Sequence, residues 1–250
     1  MRMPPEIGRM VNAGALIAIN HSGGKDSQAM TIKIVEAGIP RDQLVLVHAT
    51  LGHIEWPGTV AHIEATGFDL PLIIAKARRS FFEMVEARGM FPSPQYRQCT
   101  SDQKRGPIER ELRRYLAAHP RYRGQLINAM GMRAEESPAR RRRPTVKPNA
   151  RNSVAGRTWI DWLPIHDLTT HDVFGTIASA GQEPHWAYGA GMTRLSCSFC
   201  IMSSLPDLQC AARLRPDLLA EYVALERRIG HTLRPDGVGL DATLNRLDST

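Results

Sequence analysis

Cysteine is scarce, with four residues among 250. So few in so long a chain exclude a disulfide-stapled secreted scaffold. Long apolar runs are missing as well. The longest, Ala15 to Ile19, Leu44 to Val47 and Leu70 to Ala75, are of strand length. They fall far short of the ~18 residues that cross a bilayer. No apolar signal segment follows the opening Met1-Arg2-Met3-Pro4-Pro5, so the expectation is a cytoplasmic protein with no membrane partner. Acidic residues are in the minority, 25 against 32 basic, for a net charge of +7. That balance favours an anionic partner such as a nucleotide or nucleic acid. What remains is the composition of a folded domain, 42% apolar and 23% charged, with enough chain to bury a sizeable core.

Three apolar runs, Gly14 to Asn20, Gln43 to Ala49 and Asp69 to Ala77, read as buried parallel strands. Helix-like stretches follow each, at Asp26 to Ala37, Thr59 to Thr66 and Ser80 to Arg88. A further helix at Pro107 to Ala118 leads to strands at Gln125 to Met132 and Thr158 to Ile165, then a helix at Thr170 to Ala180. This alternation predicts an α/β fold with a doubly wound, mostly parallel five-stranded sheet. The expected division is a nucleotide-binding domain over residues 1–195 and a helical, cysteine-bearing extension over 196–250. Pro138 to Arg157 reads as a long mobile basic loop. The last ~20 residues read as a poorly ordered tail.

The sharpest motif is Ser22-Gly23-Gly24-Lys25-Asp26-Ser27, between the first strand and its helix. Glycines let backbone approach a phosphate, and a helix N-terminus offers free N–H donors and a favourable dipole. Lys25 adds a point charge, and Ser22 and Ser27 add hydroxyls. It is not a Walker A loop, because Ile19 stands where the first glycine belongs and Asp26 where Ser or Thr belongs.

The SGGKDS sequence resembles the PP-loop of N-type ATP pyrophosphatases, whose fold is the adenine nucleotide alpha hydrolase-like sheet. Members of that superfamily adenylate a substrate with ATP and release pyrophosphate, and some bind a preformed adenylyl sulfate. The resemblance implies that Ser22, Gly23, Gly24, Lys25, Asp26 and Ser27 hold pyrophosphate or an equivalent anion. Gly131-Met132-Arg133 with Glu136, Ser137 and Arg140 is similar to a stretch of phosphoadenylyl-sulfate (PAPS) reductase-like proteins. So are Trp162-Leu163-Pro164-Ile165 with His171 to Phe174, and Pro184, Tyr188, Gly191 and Arg194 leading into Cys197 and Cys200. The resemblance runs over roughly residues 14–203 in family order. It implies catalytic roles for Lys25, Asp26 and Arg133, contacts to nucleotide from Gly131, Arg133 and Arg140, and ATP with Mg²⁺ as ligands.

Cys197 and Cys200 form a C-x-x-C pair, spaced so that two thiolates reach one metal or cluster. Cys99, with Lys104 and Pro107 following, is similar to the segment that contributes to the cluster of iron–sulfur members. The resemblance implies a [4Fe–4S] cluster on Cys99, Cys197, Cys200 and Cys210, with zinc on the same ligands as the alternative and a buried apolar role open for Cys210. Assimilatory sulfonucleotide reductases carry a tail cysteine in an E-C-G-x-H stretch, and residues 241–250 here hold none. The single-cysteine pattern is closer to Dnd-type DNA phosphorothioation proteins. That implies sulfur transfer to a DNA or tRNA acceptor, with a cysteine desulfurase as a sulfur-donor partner. A sulfonucleotide reductase and a non-catalytic nucleotide- or DNA-binding module are the alternatives.

From Arg133 to Arg157 the chain carries eight basic residues against Glu135 and Glu136, a concentration able to clamp a nucleic-acid backbone or simply to solvate a surface. Trp159 and Trp162 flank it as candidates for base stacking, with core packing expected for at least one. His48, His53 and Glu55 follow the second strand and lie near the site if ligands bind at strand carboxyl ends. Asp26 is a candidate for orienting Mg²⁺, and His166 and His171 are expected to cap or pack.

Overall fold

The computed structural model describes residues 3–245. In chain order they run α1 (Pro5–Asn12), β1 (Leu16–Asn20), α2 (Lys25–Glu36), β2 (Leu44–Thr50), α3 (Thr59–Thr66), β3 (Leu72–Lys76) and α4 (Phe81–Arg88). A short turn α5 (Gln98–Thr100) passes through a wider π-helical turn, Ser101–Arg105, into α6 (Gly106–Ala118). Then come β4 (Gln125–Ala129), α7 (Pro138–Arg141), β5 (Val146–Pro148), β6 (Thr158–Trp162), α8 (Thr170–Ser179), α9 (Trp186–Gly189), α10 (Leu205–Leu214), α11 (Pro216–Ile229) and α12 (Leu240–Asn245).

The strands form one sheet in the order β3-β2-β1-β4-β6-β5. β1 pairs in parallel with β2 and β4, and β4 with β6, whereas β5 runs antiparallel to β6. In β1 the side chains alternate between two apolar layers, as a two-residue period requires. Ile17 and Ile19 pack with Met30, Ile34 and Ile127, while Leu16 and Ala18 pack with Val45, Leu112 and Trp159. A strand covered on both faces is a near-continuous apolar run, which is why it was legible.

The sheet has six strands rather than five. The extra one, β5, lies inside the segment expected to be a loop. Val146 faces Trp162 and Pro148 faces Ile160 across the pair. A proline is tolerated there because β5 is the edge strand. The same segment contains α7, capped by Ser137, whose Oγ accepts from the Arg140 N–H at 3.2 Å. Trp159 and Trp162 are both buried, so neither is a base-stacking platform.

The chain divides into two compact units. One holds the residues up to His48 with Gly58–Ala75 and Ile108–His185. The other gathers Ala49–Pro57 and Lys76–Pro107 with the chain from Trp186 onward, so the boundary is not a single cut at 195. The second unit is organised around fully buried Tyr222, which meets Phe82 edge-on at 4.9 Å and Phe91 face-on at 6.2 Å. Its C-terminal stretch is tied down where a loose tail was expected. Glu226 accepts from the Leu233 and Leu240 N–H groups at 2.7 and 2.9 Å, and both leucines are buried. Residues 246–250 of that expected tail lie outside the described residues.

Candidate functional site

In the first unit the motif residues occupy the turn from β1 into α2. Gly23 has φ +77°, a conformation that glycine adopts without strain. Gly24 is the N-cap of α2 and supplies no side-chain cap, and a helix N-terminus of this kind favours an anion. The loop is braced from within. Ser27 Oγ donates to the Gly24 carbonyl at 2.8 Å and accepts from the Ser22 N–H at 3.1 Å. The Gly23 N–H donates to His21 Nδ1 at 3.1 Å. His21 is therefore the Nε2–H tautomer, and that Nε2 is buried without a partner. Burial, with His62 and His48 nearby, pulls the His21 pKa from 6.5 down to about 3.

Lys25 and Asp26 open α2 with their side chains joined at 3.0 Å. The other Asp26 oxygen accepts from Arg133 Nε at 2.6 Å. Arg133 is 3% exposed. It also donates to Glu135 at 2.5 Å, to the Leu168 carbonyl at 3.2 Å and to Thr170 Oγ1 at 3.1 Å. Four of its five N–H bonds thus go to protein acceptors, so Arg133 holds Asp26 rather than reaching openly for a phosphate. Both Asp26 oxygens carry a cationic partner, and this carboxylate does not fit a Mg²⁺ ligand. Gly131 explains the spacing of its motif. A Cβ there would stand 3.2 Å from the Asp26 carbonyl and the Ser27 nitrogen, tighter than ordinary contact, so glycine lets the chain leaving β4 pass the first turn of α2 without displacing it. Arg140 pairs with Glu136, and its carbonyl accepts from His166 Nε2 at 3.0 Å.

The loop leaves the carboxyl end of β1, and Gly131 and Arg133 leave the carboxyl end of the adjacent β4. Chain order reverses between these strands, which is the crevice where open α/β sheets bind ligands. His48 belongs to this unit and donates from Nδ1 to the His21 carbonyl at 2.9 Å. His53 and Glu55 belong to the other unit, where His53 faces Glu221 at 3.1 Å and Glu55 accepts from Thr50 at 3.1 Å. The residues missed in the sequence were His21 and His62, next to the motif and on α3. His62 meets Gln28 Oε1 at 3.3 Å and the His185 ring edge-on at 5.2 Å. The position of His21, directly before the motif, was the available signal.

In the second unit all four cysteines belong to one apolar cluster. Cys197 donates to Cys200, which holds the Cys200 thiol below its usual range and keeps the proton on Cys197. The Met202 N–H also donates to Cys200 Sγ at 3.4 Å. Burial, then the nearby Cys200 charge, pushes the Cys99 thiol up. The Tyr222 hydroxyl is buried without a partner beside these three sulfurs. Cys210 donates to the Ala190 carbonyl at 3.1 Å. The C-x-x-C segment is pinned by the Ser198 N–H to the Ile54 carbonyl at 2.9 Å and by Arg215 to Ser198 Oγ at 2.9 Å. Among the described residues no group of three or more His, Cys, Asp or Glu side chains stands ready to hold a single metal ion. Cys99, Cys197 and Cys200 are thus neighbours with the soft donors that suit a thiolate-held group, whereas the Cys210 thiol is engaged by the Ala190 carbonyl.

A mostly parallel sheet with a glycine-rich loop at its switch point is a nucleotide-binding fold of the PP-loop type. Within that class, the phosphoadenosine phosphosulfate reductase domain matches residues 16–203, and the chain belongs to that family. It is 26% identical to an uncharacterized 37.8 kDa protein in the gpa 5' region of Escherichia phage 186, over 84% of this chain and 74% of that one. It is also 26% identical to an uncharacterized protein of Methanocaldococcus jannaschii, over 88% of this chain, and spans 50% of that protein. Among solved structures, phosphoadenylyl-sulfate reductase from Candida auris, in a phosphate complex, superposes with a TM-score of 0.47 at 13% identity, over 79% of this chain and 97% of that one. FMN adenylyltransferase from Candida glabrata, with FAD and pyrophosphate, gives 0.45 at 11% identity, over 79% and 67%. Among the described residues no helix is long and apolar enough to cross a membrane.

Proposed function

We propose that the chain is an adenylating PP-loop enzyme that takes ATP, activates an acceptor with release of pyrophosphate, and supports sulfur transfer to nucleic acid. The observation that carries this reading is the uncapped N-terminus of α2, with Lys25 beside it and Gly131 pressed against it. Donors and a cation fixed before the substrate arrives stabilise charge that develops on a leaving group. ATP places its phosphates on residues 22–27. An oxygen of the acceptor bonds to the α-phosphorus as the bond to the bridging oxygen of the β-phosphate breaks. Pyrophosphate leaves against Lys25 and the first-turn N–H groups, and the acceptor's proton passes to solvent. Asp26 orients Lys25, Arg133 positions Asp26, and Arg140 steadies the α-phosphate or the acceptor.

Cys99, Cys197, Cys200 and Cys210 hold a [4Fe–4S] cluster in this reading, or zinc in the alternative. When bound, a cluster supplies iron at which sulfur is held or electrons are relayed. The 133–157 segment lies along the nucleic acid, DNA or tRNA, and a cysteine desulfurase supplies the sulfur. ATP–pyrophosphate exchange tests the first half. Exchange that depends on added DNA or tRNA and vanishes in Lys25→Ala supports it. Exchange untouched by that change sinks the loop assignment, and tight nucleotide binding with no exchange points to a non-catalytic module. The family match favours one further reading, reduction of an adenylyl sulfate, which would show as sulfite release with a thiol reductant.

A further inference from the structure

A cavity of about 330 Å³ in the first unit opens where β4 and β6 end and β5 turns back. Its lining includes Arg142, Arg143 and Lys147, the carboxylate Asp161, and the thioethers Met130 and Met132. Its size is at the lower end for small-ligand sites, suited to a group as large as one nucleotide.

The charges around it are unbalanced. Lys147 lies directly opposite Asp161 in the antiparallel pair of β5 and β6, so the two side chains share a face. They do not pair. Asp161 Oδ1 instead accepts from Asn128 Nδ2 at 2.8 Å, and both its oxygens accept from Asn149 Nδ2 at 3.2 Å. Two amides thus fix the carboxylate without neutralising it, and Oδ2 keeps lone pairs to offer. Arg142, Arg143 and Lys147 are exposed, and none makes an ion pair among the described residues. Three unpaired cations around one cavity call for an anion. Met130 and Met132 bracket Gly131 and present polarizable sulfur, which suits a flat ring.

The geometry points to a second nucleotide site here, lined by none of residues 22–27, for a phosphate-bearing nucleoside whose base donates from an exocyclic amine to Asp161. The three cations take the phosphate or the flanking phosphodiester, the two methionines take the base, and Asp161 reads its edge. Cytosine offers a free amine. Thymine offers only an imide N–H between two carbonyl oxygens, which repel the carboxylate. The inference rests on the reading above for its role, since this nucleotide would belong to the acceptor.

The test is fluorescence anisotropy on the full chain, with short labelled oligodeoxycytidine and oligothymidine and with free dCMP and dTMP as competitors. Calorimetry with α,β-methylene ATP runs alongside. Oligodeoxycytidine should bind about tenfold more tightly than oligothymidine, as a charge-assisted hydrogen bond allows. Asp161→Asn should level the two. Arg143→Glu and Lys147→Glu, both at exposed positions, should weaken both strands and leave the ATP analogue's affinity unchanged. Displacement by free dCMP would show that one nucleotide suffices. Resistance to it, with the strand still sensitive to Lys147→Glu, would assign the site to a strand. Strand affinity indifferent to both charge reversals would overturn the proposal, as would equal weakening of the ATP analogue, which would fold the cavity into the ATP site. If the wild type does not bind the ATP analogue while the strands respond as expected, the reading of the phosphate loop fails and the cavity stands.

Discussion

Arg133 donates from Nε to Asp26 Oδ1 at 2.6 Å, joining positions 107 residues apart. This contact ties the segment leaving β4 to the first turn of α2, and it makes Arg133 a positioning residue for Asp26 and Lys25. Arg133→Ala should cost about 3 kcal/mol, the lower end for breaking a buried pair. The discount reflects the 23% exposure of the Asp26 side chain, where water screens the charge. Arg133→Lys should recover little, because one ammonium cannot reach Asp26, Glu135 and Thr170 together. Urea denaturation reads the stability. Calorimetry with α,β-methylene ATP should show weaker binding in both variants, and full affinity in Arg133→Ala would remove the positioning role.

Gly131→Ala tests the close approach behind that contact. The new Cβ would lie 3.2 Å from the Asp26 carbonyl and the Ser27 nitrogen. The backbone on both sides must shift, at a cost of about 1–3 kcal/mol. The shift falls on the turn proposed to hold the phosphates, so nucleotide affinity should drop along with stability. Gly175→Ala is the control, since nothing lies within 4 Å of its added Cβ and α8 should gain about 0.5–1 kcal/mol. Equal affinity in the two variants would contradict the account of Gly131.

Much of this architecture was legible in the sequence. The runs at β1 and β2 are continuous apolar strands, and the motif between β1 and α2 announces both a turn and a helix start. Three features were hidden for physical reasons. β5 is three residues long and ends in proline, so no two-residue pattern can show. The second unit joins 49–57 and 76–107 to the chain after 185 through packing around Tyr222, which no local signal encodes. The part Arg133 plays is set by Asp26 on α2, by Leu168 and by Thr170 at the start of α8, so its motif gave the residue and not the role.

His21 makes the loop sensitive to acid. In the fold its Nδ1 accepts from Gly23, and burial holds its pKa near 3, against 6.5 when unfolded. Below pH 6.5 the unfolded chain takes up a proton that the native state refuses. Stability should therefore fall as pH drops from about 6.5 towards 3, by up to about 1.4 kcal/mol per pH unit from this group. His21→Phe keeps a ring and removes the acceptor. It should lose about 1–3 kcal/mol at neutral pH from the unsatisfied Gly23 N–H, and its stability should fall less steeply below pH 6.5. Denaturation midpoints across that range decide the matter, and an acid limb as steep as the wild type's would show that other groups cause it.

The thiol cluster makes the sharpest division between readings. Cys197 donates to Cys200, and burial with the nearby Cys200 charge raises the Cys99 thiol, so these three sulfurs are close neighbours. Cys210 stands in the same apolar cluster with its proton on the Ala190 carbonyl. Anaerobic purification should yield a brown protein with about four irons and four sulfides, the stoichiometry that four thiolates suit. Cys99→Ser, Cys197→Ser and Cys200→Ser should each strip the iron. Cys210→Ser is the informative variant. Loss of iron there means that the thiol leaves Ala190 to become the fourth ligand. Retention of full iron and an unchanged visible spectrum means that Cys210 is packing, and that something else completes the set. A colourless protein with about one zinc would make the cysteines structural, and sulfur transfer would drop out of the proposed function while adenylation on the Lys25 loop remained to be tested by exchange.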